Sequence, residues 1–529
     1  MKKLPIGEQT FSELIKPSTL YVDKTESIYN LIKQGRGRFF FSRPRRFGKS
    51  TTCSTLDAIF SGQKELFKDL WIGQSDYEWV THPIIRFDFS QIDHKTPTML
   101  VEGLHSVLNF TADRYGLILK EVLLKAKFAE LIRTLGQTLG SVVVIIDEYD
   151  KPIVELIGDL EQADLIRVEL KNFYGTLKGS DVDANVHFIF ITGVSKFSKV
   201  ALFSDLNNLE DITYDARAAA LVGYTDQEVD KYLAKHIQAF ANKRQENYDQ
   251  TRQVLKTWYN GYRFTDDNLK VYNPFSLHNC LTKFALRNHW FTSGTPTFLI
   301  KFIEKNPHIA VDIETIEGSF LAESNLDSFT LDLYYQNYRT LLLQTGYLTF
   351  ASDYDANKRG YKVAYPNEEV RYSMIEQIMQ FVGGITPEHF GEFGDRFRKA
   401  LAADDLMLFC KHLQDFIKLV PHNIRVDLER FYQQIFFMVC VLFGKRPATE
   451  VATEEGFMDL LMEGTKFTFV IEFKRDGTPE IALEQIEKKR YWEPYEILKT
   501  KKIILAGITF NKTEGGTLVL CKTKELGQR

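Results

Sequence analysis

The chain has 529 residues, of which 44% are hydrophobic and 26% are charged, and its formal net charge is −4. A chain of this length is too long to fold around one hydrophobic core, so we expect about two to four domains. The composition is that of a soluble globular protein. The slightly negative charge excludes a globally basic nucleic-acid-binding protein, so any contact with nucleic acid must use a local patch.

The five cysteines are scattered and include no C-x-x-C pair. This pattern argues against a disulfide framework or a zinc site and fits a reducing compartment. The N-terminus has no apolar signal core, and the longest apolar stretch, residues 435–443, is too short to span a bilayer. We therefore expect a cytoplasmic protein with no membrane partner.

The first informative segment in chain order is residues 39–52, where an apolar run is followed by Gly-Lys-Ser and then by a helix-like apolar spacing. This order is typical of a phosphate-binding loop. Backbone N–H groups and the helix N-terminus face the anion, the lysine reaches the outer phosphates, and the serine hydroxyl can bind magnesium. The segment predicts a site for ATP and Mg²⁺, with Ser50 as a metal ligand. The nucleotide-binding residues predicted here are Phe47, Gly48, Lys49, Ser50 and Thr51.

Three arginines precede this Gly-Lys-Ser. Arg43 stands where the full G-x-x-x-x-G-K-[ST] pattern has its first glycine, so the turn lacks the freedom of glycine at positive φ. With Arg45 and Arg46, it forms a group whose members repel one another by about 1 kcal/mol per pair at 4 Å in water. We expect an anion nearby. It is either the triphosphate, where an arginine stabilises the transferring charge, or a set of buried carboxylates that brace the loop.

Acidic residues follow a later buried strand. Residues 141–146 are apolar apart from Ser141 and lead directly into Asp147 and Glu148. Asp147 is predicted to hold magnesium through water, and Glu148 to polarise an attacking water. A further strand ends at Thr192, which either senses the γ-phosphate or only ends the strand. With residues 84–89, these strands predict a doubly wound parallel sheet that binds its ligand at the carboxyl ends.

From about residue 220 to about 410, helical patterns dominate. They are broken by aromatic clusters rich in Gly, Pro or Asn at 258–264, 272–276 and 290–296. Such clusters serve either as base-stacking platforms or, more simply, as turns packed into a core.

The C-terminal segment contains a second group of charged residues. A helix at 427–444 precedes two strand-like runs, 456–462 and 467–474, which are joined by a short glycine turn and predict a hairpin. Such pairing brings Asp459 beside Glu472, while Glu472 and Lys474 share one face.

Two carboxylates and an ammonium on one patch are costly unless a cation relieves the repulsion. We therefore predict Mg²⁺ bound by Asp459, Glu472 and the main chain near residue 471. A water activated there attacks a phosphodiester, and Lys474 orients it or neutralises charge. Glu429, on the preceding helix, is a lesser candidate ligand.

The segment 481–491 predicts a helix that follows the hairpin, on which Gln485 and Lys489 share a face. Residues 503–508 predict a closing strand.

Several segments resemble the bacterial AAA-ATPase-like family, in which the ATPase is fused to a C-terminal PD-(D/E)XK nuclease-superfamily domain. The resemblance covers nearly the whole chain and rests on residues 4–7, 21–25, 43–50, 192–196, 203–213, 259–262 and 272–276. In that family, arginine in place of the first glycine is part of the pattern, and Gln485 matches the accessory glutamine. Phe457 departs from it, because relatives often have arginine there.

The resemblance implies an α/β fold: a P-loop NTPase parallel sheet, a helical middle domain, and a small α/β restriction-endonuclease-like C-terminal domain. The expected boundaries are 1–220 for the AAA-like ATPase, 221–410 for the middle domain and 411–529 for the nuclease-like domain.

Two functions remain open at this point. In the first, ATP binding or turnover is coupled to metal-dependent cleavage of DNA or RNA, with nucleic acid bound by the C-terminal domain. In the second, the protein is a nucleotide switch whose nuclease-like domain recognises a partner without cleaving. Because the arginines lie in the loop itself, a monomer or dimer fits the sequence as well as a ring does.

Overall fold

The structure is a computed structural model. It describes the whole chain except residues 157–158, 197–201, 204–207, 293–316, 328–337, 384–386, 420–428, 444, 446, 454, 499–500, 515 and 527–529. The described residues form two compact units. The first comprises those of Met1–Phe298 and Ile316–Arg371, and the second contains those of Tyr372–Arg529. The three domain boundaries predicted from the sequence remain predictions.

The first unit is built on a parallel sheet of five strands in the order β2-β3-β4-β1-β5. Its central strands β1, β3 and β4 are almost wholly buried because helices cover both faces of such a sheet. The predicted doubly wound sheet is confirmed. The strands are β1 Gly37–Ser42, β2 Ile84–Asp88, β3 Val142–Asp147, β4 Val186–Gly193 and β5 Glu210–Asp211.

The helices that accompany this sheet are α1 Phe11–Leu14, α2 Thr25–Ile32, α3 Lys49–Phe60, α4 Pro97–Arg114, α5 Leu124–Thr138, α6 Lys151–Val154, α7 Leu160–Tyr174 and α8 Ser180–Asp183. The carboxyl ends of β1, β3 and β4 meet at one edge, because the three strands are parallel neighbours. The loop from β1 to α3 and the acidic end of β3 therefore come together.

The rest of the first unit is mainly helical, as predicted. The helices are α9 Asp226–Arg244, α10 Tyr248–Tyr259, α11 Pro274–Lys283, α12 His289–Thr292, α13 Glu323–Asp327 and α14 Tyr338–Thr345. A small antiparallel sheet has the order β6-β8-β7, with β6 Phe320–Ala322, β7 Thr349–Phe350 and β8 Gly360–Ala364. Helix α9 begins with a reciprocal capping box between Thr225 and Glu228.

The aromatic clusters of this region are part of the core. Tyr259, Tyr262 and Tyr272 are fully buried, and Trp290 is 6% exposed. Tyr259 and Tyr272 belong to one hydrophobic cluster with residues of α9 and α11. The clusters are therefore packed turns rather than open platforms for bases. Residues 293–296 of the third cluster lie outside the described residues.

The second unit has a mixed sheet in the order β13-β12-β11-β10-β9, in which only β11 and β12 are parallel. Its strands are β9 Ala448–Thr453, β10 Gly456–Glu463, β11 Phe467–Arg475, β12 Lys502–Thr513 and β13 Gly516–Glu525. The helices are α15 Glu368–Gly383, which begins in the first unit, α16 Pro387–Ala402, α17 Leu406–Ile417, α18 Glu429–Leu442, α19 Pro479–Lys489 and α20 Glu493–Leu498.

The predicted hairpin, the helix after it and the closing strand are confirmed, whereas β9 and β13 were not predicted. Helices α18 and α19 cover opposite faces of β11, because successive side chains alternate between the faces of a strand. Phe473 packs against Phe436 of α18, with ring centroids 5.1 Å apart, and Val470 packs against Ile486 of α19. Residues 427, 428 and 444, at the ends of the predicted helix, lie outside the described residues.

No helix in the described ranges combines the length and apolar character needed to cross a bilayer.

Candidate active sites

A cavity of about 520 Å³ lies against the loop between β1 and α3 in the first unit. Every predicted loop residue from Arg45 to Thr51 lines it, as does Glu148. Its other walls come from the N-terminal segment, including Pro5, and from residues 221–224 and α11. The predicted residues Arg43, Asp147 and Thr192 do not line the cavity.

The loop presents the N-terminus of α3 to this cavity. Gly48 has φ 105°, a left-handed conformation that glycine adopts at little cost, and no side chain of the described residues caps the helix there. The first backbone N–H groups of the helix therefore have no side-chain acceptor at the cap, which is the arrangement that binds anions. Arg46, with φ 66°, is also left-handed.

Lys49 is 7% exposed and is held inside the loop. Its Nζ donates to the carbonyl oxygens of Arg43 and Pro44, each at 2.9 Å. Burial lowers the pKa of Lys49, while Asp147 and Glu148 act to raise it. The ammonium thus lies at the cavity wall, bound to carbonyl oxygens that a phosphate can replace.

Asp147 and Ser50 are in contact at the end of β3. The Ser50 hydroxyl donates to the Asp147 carboxylate, and burial raises the pKa of Asp147 while this hydrogen bond lowers it. A hydroxyl and a carboxylate side by side are oxygen donors of the kind that Mg²⁺ prefers. The donor set therefore fits magnesium.

Glu148 follows Asp147 in a left-handed conformation, with φ 54°. Its N–H donates to Asp147 Oδ1 at 3.0 Å, and its carboxylate lies 3.2 Å from Lys151 Nζ. The strand end thus turns sharply and carries the Glu148 carboxylate to the cavity wall.

The three loop arginines have different positions. Arg43 is 1% exposed, and its guanidinium donates to the carbonyls of Ser42 (2.9 Å), Ala218 (3.1 Å) and Thr213. Of the two alternatives left open by the sequence, Arg43 therefore braces the loop, although through main-chain carbonyls and not through carboxylates, and its predicted role in phosphate binding is corrected. Arg45 and Arg46 line the cavity, and among the described residues no carboxylate pairs with either.

Replacing Arg43 by methionine should destabilise the protein by about 3 kcal/mol, because buried carbonyl acceptors lose their donors. Urea unfolding of the two proteins measures the difference. The matched control is Arg46→Met, where the guanidinium is exposed and we expect a change within about 0.5 kcal/mol. Equal stabilities of the Arg43→Met and Arg46→Met proteins would contradict the bracing role.

Thr192 is fully buried in β4, and its hydroxyl makes no hydrogen bond within the described part of the chain.

Sequence reasoning missed Asp150, which is 1% exposed and borders the cavity. Its carboxylate accepts from the backbone N–H and the hydroxyl of Ser195, each at 2.7 Å. Asp150 thus joins the ends of β3 and β4. The sequence signal that could have identified Asp150 is its position as the third acid of the run Asp-Glu-Tyr-Asp at residues 147–150.

The second unit contains the other predicted site, on β10 and β11. The antiparallel register pairs Leu460 with Ile471 and so brings Asp459 beside Glu472. Asp459 Oδ2 accepts from the Phe473 N–H at 2.8 Å.

Glu472, at the centre of this site, is 1% exposed. Its Oε1 accepts from Lys474 Nζ at 2.9 Å and from the Gln485 amide on α19. The other oxygen, Oε2, is buried and has no hydrogen-bond partner among the described residues. The side chain therefore has one satisfied oxygen and one free to bind a ligand.

The two neighbouring carboxylates shift the pKa values of the residues at this site. Burial and the nearby Asp459 raise the pKa of Glu472 to about 7. Burial also raises the pKa of Asp459. Burial acts to lower the pKa of Lys474, but the ion pair with Glu472 raises it overall. The two carboxylates thus resist simultaneous ionisation in the absence of a cation.

These residues fit a divalent metal ion. The free Glu472 oxygen and the Asp459 carboxylate are hard oxygen donors, as Mg²⁺ requires. Within the described ranges, no three His, Cys, Asp or Glu residues converge on one metal position. Side chains would therefore supply two ligands, and main-chain oxygens, waters or substrate the others.

Glu429 lies near this site, but its Oε2 accepts from the Arg475 N–H at 2.7 Å. Glu450, on β9, also raises the pKa of Asp459. Sequence reasoning missed Glu450 because it missed β9. Phe457, two residues before Asp459, is 67% exposed.

Comparison with known proteins agrees with this two-part architecture. Residues 5–203 match the family model of predicted AAA-ATPases, and residues 427–518 match the PD-(D/E)XK nuclease superfamily. An uncharacterized protein from the vnfD 5′ region of Azotobacter chroococcum mcd 1 is 33% identical over 524 residues, which cover 97% of each chain.

Among solved structures, the Aeropyrum pernix ORC1 protein in complex with DNA aligns with 70% of this chain and 96% of its own. The TM-score is 0.26 and the identity 9%, values too low to carry information on fold or ligand. The sequence match to the Azotobacter protein, in contrast, extends over almost the full length of both chains. The chain therefore belongs to the AAA-ATPase-like family whose members carry a C-terminal PD-(D/E)XK nuclease-superfamily domain.

Proposed function

We propose that the protein is an ATPase coupled to a metal-dependent nuclease that cleaves phosphodiester bonds of DNA or RNA. The observation that carries the nuclease is the Glu472 carboxylate. One of its oxygens accepts from Lys474 and Gln485, and the other is buried beside Asp459 with no hydrogen-bond partner in the described part of the chain. Such an arrangement is costly in a protein that has no cation or substrate to place there.

In the first unit, the backbone N–H groups at the start of α3 and the Lys49 ammonium bind the triphosphate of ATP. Arg45 and Arg46 line the cavity, have no carboxylate partner among the described residues, and neutralise phosphate charge. Ser50 and Asp147 hold Mg²⁺. Glu148 polarises the attacking water and accepts its proton.

In the second unit, Asp459 and Glu472 hold a Mg²⁺ ion. A bound Mg²⁺ supplies positive charge that stabilises the transition state and makes water more acidic. Lys474 orients the nucleophile or neutralises developing charge at the phosphate. Gln485 donates to Glu472 and keeps the carboxylate in one orientation, as outer-shell partners of metal ligands do.

Cleavage by the full-length protein tests this proposal. Plasmid, linear duplex and single-stranded DNA and RNA are incubated with Mg²⁺ or Mn²⁺, with and without ATP. We expect metal-dependent cleavage that ATP changes and that Glu472→Ala and Lys474→Ala both lose. If every substrate survives with either metal and ATP, the nuclease is refuted and a nucleotide-switch protein with a non-cleaving recognition domain becomes the better account.

A further inference from the structure

Two cysteine side chains of the second unit are in contact with each other. The five cysteines of the chain are free thiols in the structure. The Cys410 thiol, on α17, is in hydrogen-bonding contact with the Cys521 thiol on β13. The two residues are far apart in the sequence, so the spacing of the cysteines gives no sign of this pair. The fold alone brings the two sulfur atoms together.

The packing of α17 against β13 accounts for the contact. The Gln414 side-chain oxygen on α17 accepts from the Val519 N–H on β13 at 3.1 Å. Cys410 is four residues before Gln414, about 6 Å along the same helix face. Cys521 is two residues after Val519, about 6.6 Å along the same face of the strand. The alignment that joins Gln414 to Val519 therefore also brings Cys410 to Cys521.

The two thiols differ in their access to solvent. Cys410 is 1% exposed, and burial together with the neighbouring Cys521 raises the pKa of its thiol. Cys521 is half-buried on the strand at the edge of the sheet, whereas the other four cysteines are buried. Oxidation of cysteine follows exposure and thiolate character. An oxidant therefore reaches Cys521 first, and Cys410 lies beside it as a second thiol.

We propose that Cys410 and Cys521 form a redox modification site, at which hydrogen peroxide converts the two thiols into a reversible disulfide. The Cys521 sulfur attacks one peroxide oxygen and is oxidised to a sulfenic acid, and the other oxygen leaves as water. The Cys410 sulfur then attacks the sulfenic sulfur. The S–S bond forms, and the sulfenic hydroxyl leaves as water with the Cys410 proton. Two thiols and one peroxide thus give one disulfide and two waters, and a dithiol reverses the oxidation.

The thiol pair and the proposed metal site are on opposite faces of the sheet. Cys521 pairs with Ile508 on β12, and Ile508 pairs with Phe473 on β11, so the three side chains share one face. Phe473 packs against α18, whereas the adjacent Glu472 contacts Gln485 of α19. The disulfide therefore leaves the proposed cleavage residues in place. It stabilises the second unit by fixing α17 to β13.

The test uses the full-length protein. Reduced protein is treated with hydrogen peroxide, catalase is added, and thiols are counted after denaturation. We expect the count to fall from five to three and to return to five with dithiothreitol. Tryptic peptides prepared without reductant should contain Cys410 linked to Cys521. The melting temperature of the oxidised protein should be higher by roughly 10 °C.

The matched control is Cys440→Ser, because Cys440 is also buried near Cys410. This variant should form the same disulfide as the wild type. Cys410→Ser should instead leave Cys521 as a sulfenic acid, which dimedone traps.

Three results overturn the inference. They are an oxidised wild type that keeps all five thiols, a disulfide that contains Cys440, and a covalent dimer through Cys521 on a non-reducing gel. A Cys410–Cys521 disulfide that leaves the melting temperature unchanged would overturn its stabilising role. Each of these results is independent of the proposed nuclease, because none of them involves cleavage.

Discussion

Replacing Glu472 by glutamine is expected to reduce the rate of metal-dependent cleavage at least about a hundredfold. The substitution removes the free carboxylate oxygen at the metal position, and loss of even an outer partner of a metal ligand costs 10–100-fold. Initial rates on the best substrate, with Mg²⁺ at pH 8, measure the effect. The matched control is Glu484→Gln, an exposed residue on the same helix as Gln485, which should cleave at the wild-type rate.

The same substitution should change how stability depends on pH when metal is chelated. The folded-state pKa of Glu472 is about 7, above its ordinary value of 4.5, so the folded state binds more protons between these values. The contribution of this group to the free energy of unfolding is fully present below pH 4.5. It is lost as the pH rises through 7, which lowers stability by up to about 3 kcal/mol. In EDTA, the melting temperature of the wild type should fall from pH 5 to pH 8 by more than that of Glu472→Gln. Equal changes of melting temperature with pH in the two proteins would contradict the raised pKa of Glu472.

Replacing Lys49 by alanine is expected to weaken ATP binding about a hundredfold. The ammonium forms charge-assisted hydrogen bonds, worth about 1.5–3 kcal/mol each, that phosphate oxygens take over from the carbonyls of Arg43 and Pro44. Titration with a fluorescent ATP analogue measures the affinity, and Lys68→Ala, an exposed lysine, is the control.

The Lys49→Ala protein also separates the two proposed sites. Asp459, Glu472, Lys474 and Gln485 are in the other unit and are unchanged, so cleavage without ATP should persist while any effect of ATP disappears. Loss of cleavage without ATP in a folded Lys49→Ala protein would contradict the independence of the two sites, because no nucleotide is present in that assay. Wild-type affinity for ATP would refute the assignment of Lys49.

The elements that carry the sites could be predicted because their patterns are strong. Residues 39–42 and 142–146 are continuous apolar runs, and each leads directly into polar residues of a type expected at a strand end. The hairpin of β10 and β11 has a glycine turn between two apolar strands. Strand β9, in contrast, alternates half-buried and exposed residues. It has no apolar face that would distinguish it from a loop, and Glu450 was missed with it.

The individual roles within the sites depend on three-dimensional contacts that no local pattern contains. Arg43 is adjacent in sequence to two residues that face the cavity, yet its guanidinium reaches carbonyls at Thr213 and Ala218, about 170 residues away. Asp150 likewise acts through residues of a distant strand end. Sequence reasoning left bracing and phosphate contact as equal alternatives for each arginine, and only the folded contacts distinguish them.

The most direct test of the whole account is metal binding itself, because it needs no knowledge of the substrate. Free Mn²⁺ is measured by electron paramagnetic resonance as the nucleotide-free protein is titrated at pH 8. Because the ion at Ser50 and Asp147 binds together with ATP, which is absent here, we expect one site per chain in the wild type and in Lys49→Ala, and none in Asp459→Asn or Glu472→Gln. Equal Mn²⁺ binding by the wild type and these two carboxylate variants would contradict the central claim that Asp459 and Glu472 share a cation.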